Sequence, residues 1–127
     1  MTRQQVSSGA EWEQTVGYSR AVRVGNIIHV AGTTAVGPDG RLVAPGDPYA
    51  QAQRIFEIIG AALAELGAGW EHVTRTRIYL VNPEDWQAVG RAHGEIFSEI
   101  RPASTMLAVR ALLVPEMLVE IEVDAVV

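Results

Sequence analysis

The run VEIEVDA at residues 119–125 decides the fold, because it alternates strictly between aliphatic and acidic side chains. A period of two places successive side chains on opposite faces of a β-strand. One face of this strand therefore carries Glu120, Glu122 and Asp124, and the other face is aliphatic. We predict a strand from a sheet with one covered face and one charged face.

A first amphipathic helix is predicted between residues 47 and 67. Asp47 is a favourable N-cap, and Pro48 suits the first helical position because its missing N–H has no partner there. Apolar side chains then recur at spacings of three and four as far as Leu66, and Gly67 ends the helix.

A second helix is predicted to begin in the same way, with Asn82 as its cap and Pro83 as its first residue. Its apolar stripe consists of Trp86, Val89, His93, Phe97 and Ile100. Since each helix has a single apolar face, the two most simply lie side by side on one face of one sheet.

Further strands are predicted at residues 18–23, 26–34 and 73–81, the first two joined by a hairpin turn at Gly25-Asn26. Residues 36–46 contain turn-forming Pro and Gly and are predicted to be loop. The sequence thus predicts an α+β protein with residues 1–127 in one domain.

Composition excludes several chemistries. The 127 residues include no cysteine, so neither a thiol nucleophile nor a cysteine-ligated metal is available. All ten basic residues are arginine, which leaves no side-chain amine for a Schiff base. The net charge of −5 and the scattered arginines argue against nucleic acid as a partner. No apolar run predicts a membrane span or a signal sequence, and we expect a cytoplasmic protein.

Several segments resemble, in order and spacing, the motifs of the Rid (YjgF) family. The match extends over about residues 16–127. It is carried by GYSRAVRVGN at 17–26, IHVAGT at 28–33, the helix and strand that follow, RPAST at 101–105, and VEIE at 119–122.

The resemblance implies a chorismate-mutase-like fold, with one mixed sheet of about six strands and two helices packed on one face. It further implies a homotrimer with three clefts between subunits that bind small carboxylate-bearing molecules. In that family a glutamate positions water for hydrolysis of enamines or imines such as 2-aminoacrylate to 2-keto acids and ammonia. No metal or organic cofactor is implied.

Transferred position by position, the resemblance makes Glu120 the water-positioning carboxylate and Tyr18 the pocket tyrosine, and these two are the predicted catalytic residues. Ser104 occupies the place of the arginine that binds the substrate carboxylate, and a neutral hydroxyl is a weaker anion ligand than a guanidinium. The other substrate-binding candidates are Ala31, Gly32, Thr33, Gly90, His93, Thr105 and Met106.

Several of these residues have a structural interpretation as well. Glu120 can pair with an arginine, and Arg77 and Arg110, which we expect to lie on strands, are candidates to neutralise the acidic row. His93, where the family usually has tyrosine, is either a hydrogen-bonded core histidine or a cleft residue beside Gly90. Its spacing from the other two histidines does not suggest a metal site.

Two functions therefore remain open. The first is a trimeric hydrolase of an imine, an enamine or a related labile metabolite other than 2-aminoacrylate. The second is a catalytically silent trimer that binds a small molecule or regulates. Endoribonuclease activity, which is sometimes attached to the family, fits the acidic charge poorly.

Overall fold

A computed structural model describes residues 1–127, which form one six-stranded mixed sheet and two α-helices. The strands are β1 (Arg3–Val6), β2 (Ala21–Val24), β3 (Ile27–Thr33), β4 (Val73–Leu80), β5 (Ala103–Ala108) and β6 (Val119–Val126). The helices are α1 (Pro48–Glu65) and α2 (Trp86–Phe97). The predicted fold class is confirmed.

The spatial order of the strands is β1-β2-β3-β6-β4-β5. All neighbours are antiparallel except β4 and β5, which are parallel and connected through α2. Parallel neighbours need a crossover of this kind, and a helix is its usual form. The C-terminal strand β6 therefore ends up at the centre of the sheet.

The helices cover one face of the sheet and enclose the hydrophobic core. From β6, the aliphatic side chains Val119, Ile121, Val123 and Ala125 are all buried, as the period of two predicts. At the start of α1, the Asp47 carboxylate accepts a hydrogen bond from the Ala50 N–H at 3.0 Å. Neither helix combines the length and the apolar character needed to cross a membrane.

The opposite face of the sheet, which we call the open face, carries no helix. It presents the three acids of β6, and two of these have partners on neighbouring strands. Asp124 accepts from His29 at 2.8 Å and from Arg77 at 3.2 Å, while Glu122 accepts from the Tyr79 hydroxyl. The expected neutralisation of the acidic row by Arg77 is confirmed at Asp124. Arg110 lies beyond the end of β5, not on a strand as predicted.

The N-terminal part of the chain differs from the prediction in two ways. The strand Arg3–Val6 was not expected, because four residues with three exposed side chains give no clear alternation. The strand predicted at 18–23 begins only at Ala21, since Glu13–Gly17 form a π-helical turn that ends at Tyr18. The predicted hairpin turn is confirmed, with Val24 paired to Ile27.

The start of the second helix was predicted wrongly. Pro83–Asp85 form a 3₁₀ turn, α2 begins at Trp86, and the Asn82 side chain makes no capping hydrogen bond. Pro83 fixes a helical φ but does not decide between the two kinds of helix, because its own N–H is absent in both. Trp86 is 58% exposed, so it does not belong to the buried stripe.

Candidate functional site

Glu120 lies at the centre of the open face, directly above the backbone of Gly32. A Cβ atom added to Gly32 would overlap Glu120 Oε2, so a larger residue here would displace the end of the Glu120 side chain. The pairing of β3 with β6 shifts register between Val30 and Thr33, which places Gly32 at the irregularity. Glycine in a strand commonly marks such a close approach.

The Glu120 carboxylate makes no side-chain hydrogen bond and no salt bridge, unlike Glu122 and Asp124 on the same strand. Burial raises the pKa of Glu120, Arg20 lowers it, and Glu122 raises it; the net pKa lies above its ordinary value. A half-buried carboxylate without a partner and with a raised pKa has the properties of a general base.

Tyr18 is the second predicted catalytic residue, and it lies at the rim of the open face with 40% of its surface exposed. It borders a wide concavity of about 740 Å³, together with Ala31, Arg77 and Glu122. Glu120 and Gly32 lie outside the wall of this concavity. Within one protomer, therefore, the cavity at Tyr18 does not enclose the candidate base.

Thr33 lies beside Gly32 in sequence but is buried, and its hydroxyl donates to the Ala31 carbonyl at 2.8 Å. Of the predicted pocket turn, the structure thus places Ala31 and Gly32 toward the open face. The Thr33 hydroxyl is engaged in holding the bulge.

Ser104 lies on the other side of the sheet. Its hydroxyl accepts a hydrogen bond at 2.8 Å from Thr76, which is fully buried beneath α2. The Thr76 oxygen is in turn 2.9 Å from His93 Nε2. A hydroxyl has only one proton, so while Thr76 donates to Ser104 its oxygen accepts from His93 Nε2–H. The three side chains form one chain of hydrogen bonds across the helix-covered face.

His93 is half-buried and packs in an aromatic cluster. Its ring centroid is 4.6 Å from that of Phe97 and 6.0 Å from that of Phe56. Burial lowers the pKa of His93, which keeps the imidazole neutral near pH 7. His93 thus has the satisfied hydrogen bond that the core interpretation requires.

The remaining candidates divide between the two faces. Thr105 is paired with Arg77 on β4 and is exposed, whereas Met106 is paired with Ile78 and packs against the core. Gly90 lies on α2 with no atom within 4 Å of the position that a side chain would take. Within the chain, the open-face residues Tyr18 and Glu120 are consequently separated by the sheet from the Ser104–Thr76–His93 chain of hydrogen bonds.

Two residues of these arrangements were not singled out from the sequence. Arg20 follows Tyr18 by two positions and precedes the buried Ala21, so strand alternation was the available signal that it faces Glu120. Thr76 gave no such signal, because a threonine in a strand is common. No group of three or more potential ligands lies close enough to hold a metal ion.

Comparison with known proteins places the chain in a family. The family model described as Endoribonuclease L-PSP matches residues 9–127. A RutC family protein of Pyrococcus abyssi is 34% identical over 85% of this chain and 84% of its own. The chain belongs to the Rid (YjgF, L-PSP) family.

Two further proteins are more similar in sequence. An uncharacterized protein of Streptomyces coelicolor, SCO2049, is 45% identical over 94% of this chain and 89% of its own. The crystal structure of Rv2704 from Mycobacterium tuberculosis, a member of the YjgF/YER057c/UK114 family, superimposes with a TM-score of 0.90. It is 45% identical and covers 99% of this chain and 100% of its own.

Proposed function

We propose that this Rid family protein hydrolyses a reactive imine, an enamine or a related labile small metabolite, with Glu120 as the base that activates water. The observation that carries the proposal is the Glu120 carboxylate itself. It is half-buried, lies over Gly32, and has no hydrogen-bond partner, while both other acids of the strand are paired.

The reaction needs only water. Glu120 accepts a proton from the water as the water oxygen bonds to the imine carbon, and it returns this proton to the imine nitrogen. The remaining hydroxyl proton then moves to the nitrogen as the C–N bond breaks, which leaves a carbonyl compound and ammonia. An enamine enters the same route once it gains a proton at carbon and loses one from nitrogen. A raised pKa suits both steps, because Glu120 must first accept a proton and then return it.

The substrate is proposed to differ from 2-aminoacrylate. Ser104 offers one neutral hydroxyl where the resemblance implies a guanidinium, and while it accepts from Thr76 it has a single proton to donate to a ligand. A charged hydrogen bond contributes about 1.5–3 kcal/mol and a neutral one about 1 kcal/mol, so a carboxylate held at this position loses affinity.

We further propose that the working site is a cleft between protomers of a homotrimer. Tyr18 and Glu120 face the open side of the sheet, whereas Ser104 and His93 face the helices. A neighbouring protomer is what can bring the two groups of side chains to one ligand.

Ammonia release is the direct test. Wild type, Glu120→Gln and the matched control Glu122→Gln are assayed with freshly generated 2-aminoacrylate and with bulkier imines generated in situ by an amino-acid oxidase. We expect slow turnover of 2-aminoacrylate and faster turnover of at least one other imine. Glu120→Gln should lower that rate by on the order of 10²–10⁴, the usual contribution of a general base. Glu122→Gln should stay close to wild type, because its carboxylate is engaged by Tyr79.

The Ser104→Arg variant tests the substrate restriction. If the cleft is intact, this variant gains activity on 2-aminoacrylate that is lost again in the Ser104→Arg, Glu120→Gln double variant. Rapid hydrolysis of 2-aminoacrylate by wild type would contradict the restriction.

The alternative is a catalytically silent trimer that binds a small molecule or regulates, and the neutral Ser104 favours it. No ammonia from any imine, in wild type and in Ser104→Arg alike, would support this alternative against the hydrolase. The family model's description as an endoribonuclease finds no support in the net charge of −5.

A further inference from the structure

The Arg20 guanidinium is half-buried, and most of its donors are unused. Nη2 donates to the Gly32 carbonyl, and this is its one hydrogen bond. Nε is buried and has no partner. No nitrogen of Arg20 lies within 4.0 Å of a carboxylate oxygen. A guanidinium has five N–H donors, so four remain free.

The backbone fixes where this guanidinium lies. The Arg20 N–H donates to the Val6 carbonyl at 2.8 Å, and the Arg20 carbonyl accepts from the Ala31 N–H at 3.0 Å. Ala21, the next residue, is buried in the core, so alternation directs Arg20 to the open face. The hydrogen bond to Gly32 then holds its tip beside the Glu120 carboxylate.

The charges around Arg20 leave it without an ion-pair partner. Burial lowers the pKa of Arg20, while Tyr18, Glu13 and Glu120 oppose that shift. The Glu13 carboxylate already accepts hydrogen bonds from Ser7 and Ser8. Glu120 is near enough to act on Arg20 through space but does not pair with it.

A desolvated cation without a paired anion is costly, and buried charges are normally paired. The free donors of a guanidinium match two carboxylate oxygens side by side, so a carboxylate is the kind of anion that would pair with Arg20.

We propose that Arg20 is the anion-binding residue of this site and holds the carboxylate of the ligand between Tyr18, Gly32 and Glu120. If the proposed hydrolysis holds, the substrate is an imine or enamine that carries a carboxylate and differs from 2-aminoacrylate. This carboxylate approaches from the β2–β3 side of Glu120, whereas Ser104 lies across the sheet. Arg20 therefore supplies the charge that Ser104 lacks, from a different direction.

A purely structural role for Arg20 makes a different prediction. If the guanidinium only ties β2 to the Gly32 carbonyl, its loss lowers thermal stability but leaves the preference for anionic ligands unchanged. The ratio of the affinities for an anionic and a neutral ligand therefore separates anion binding from a purely structural role, whereas a change in melting temperature does not.

The test is calorimetric binding of pyruvate and of the neutral pyruvamide at low ionic strength, where screening is weak. Wild type should bind pyruvate more tightly than pyruvamide. Arg20→Gln should weaken pyruvate binding by on the order of ten- to a hundred-fold, the loss of one charge-assisted contact, and leave pyruvamide binding within about two-fold. Arg20→Lys keeps the positive charge but loses the paired donors of the guanidinium, so its affinity for pyruvate should fall between those of wild type and Arg20→Gln.

Arg75→Gln is the matched control, because Arg75 is exposed on β4 and does not border the concavity at Tyr18. It removes the same charge from the open face and should leave the preference for pyruvate intact. Equal binding of pyruvate and pyruvamide by wild type would overturn the proposal. An Arg20→Gln variant with the wild-type preference for pyruvate over pyruvamide would also overturn it. If Arg20→Gln does not fold, the same result in Arg20→Lys would overturn it.

The binding assay does not depend on turnover, so it can fail separately from the proposed hydrolysis. Arg20-dependent pyruvate binding without ammonia release from any imine would keep the anion site and remove the hydrolase. Glu120-dependent ammonia release that is equally fast in Arg20→Gln would keep the hydrolase and remove the anion site.

Discussion

The three acids of β6 have the same sequence environment but different surroundings in the structure. Asp124 has His29 and Arg77 as partners, and Glu122 has the Tyr79 hydroxyl. Glu120 lies over glycine and has no hydrogen-bond partner. Only Glu120 therefore combines a carboxylate free to accept a proton with a burial that raises its pKa.

The raised pKa of Glu120 predicts a pH-dependent effect on stability. The folded protein holds this proton more tightly than the unfolded chain, so ionisation of Glu120 removes stability as pH rises from about 4.5 through the raised pKa. We expect Glu120→Gln to gain stability relative to wild type across that range. Urea unfolding at a series of pH values and a fixed protein concentration measures the difference. A constant difference at all pH values would contradict the raised pKa.

Glu13 provides a control of opposite sign. Burial by itself raises the pKa of Glu13, but hydrogen bonds from Ser8 and Ser7 outweigh it, and the net pKa is lowered. Its ionised form therefore contributes stability above about 4.5 that is lost as pH falls through the folded pKa. Glu13→Gln should be most destabilised near neutral pH and approach wild type in acid.

The hydrogen-bonded chain from Ser104 through Thr76 to His93 changes how the two differences from the usual family residues, at Ser104 and His93, are understood. Ser104 is not an isolated hydroxyl, since it accepts from Thr76, and its own proton is what it can still donate to a ligand. His93 has a polar partner and aromatic neighbours within its own protomer. Its part in ligand binding stays a prediction that needs a second subunit.

At the scale of elements, the two helices begin with similar sequences and different structures. Asp47-Pro48 forms a true cap on α1, whereas Asn82-Pro83 leads into a 3₁₀ turn with no side-chain cap. The two helix starts differ in the contact of the cap side chain. The Asp47 carboxylate accepts a hydrogen bond from the Ala50 N–H, whereas the Asn82 side chain makes no capping hydrogen bond.

This pair of caps gives a matched mutational test. Asp47→Ala removes a capping hydrogen bond and should lower the free energy of unfolding by about 1 kcal/mol. Asn82→Ala removes no such bond and should cost no more than about 0.5 kcal/mol, as is usual for a surface substitution. Urea denaturation at one protein concentration compares them. Equal losses in both variants would show that the capping contact at Asp47 is not the source of the effect.

At the scale of the whole molecule, the sheet has one face sealed by helices and one face open. The open face carries charged side chains together with exposed apolar ones such as Leu107 on β5, which is 44% exposed. A mixed face of this kind suits contact with another subunit, where apolar residues are buried and charges are paired. The proposed homotrimer would use it.

Adding a charge to the open face should disrupt that assembly. We expect wild type to sediment with three times the 13.7 kDa mass of the chain, and Leu107→Glu to shift toward the monomer. Ala61→Glu adds the same charge to the exposed side of α1 and should leave the trimer intact. Far-ultraviolet circular dichroism checks that both variants fold. A monomeric wild type, or an unaffected Leu107→Glu, would contradict an open-face interface.

The sequence by itself determined the elements whose signal is periodic. The alternation in residues 119–125 and the apolar stripe of the first helix were predicted correctly, because side-chain periodicity records which face is buried. The family motifs extended this to the whole fold. The short strand β1 and the start of α2 were missed, since each depends on contacts with distant or backbone groups.

Only the tertiary structure decided which charges lack a partner. By alternation alone, Glu120 was equivalent to Glu122 and Asp124 and only the family resemblance singled it out, while Arg20 was one arginine among ten. The fold pairs Asp124 and Glu122 with neighbours on other strands, and it places Glu120 and Arg20 beside Gly32 without pairing them to each other. Hydrogen-bond partners on different strands are brought together by sheet order and register, which residue spacing along one chain does not encode.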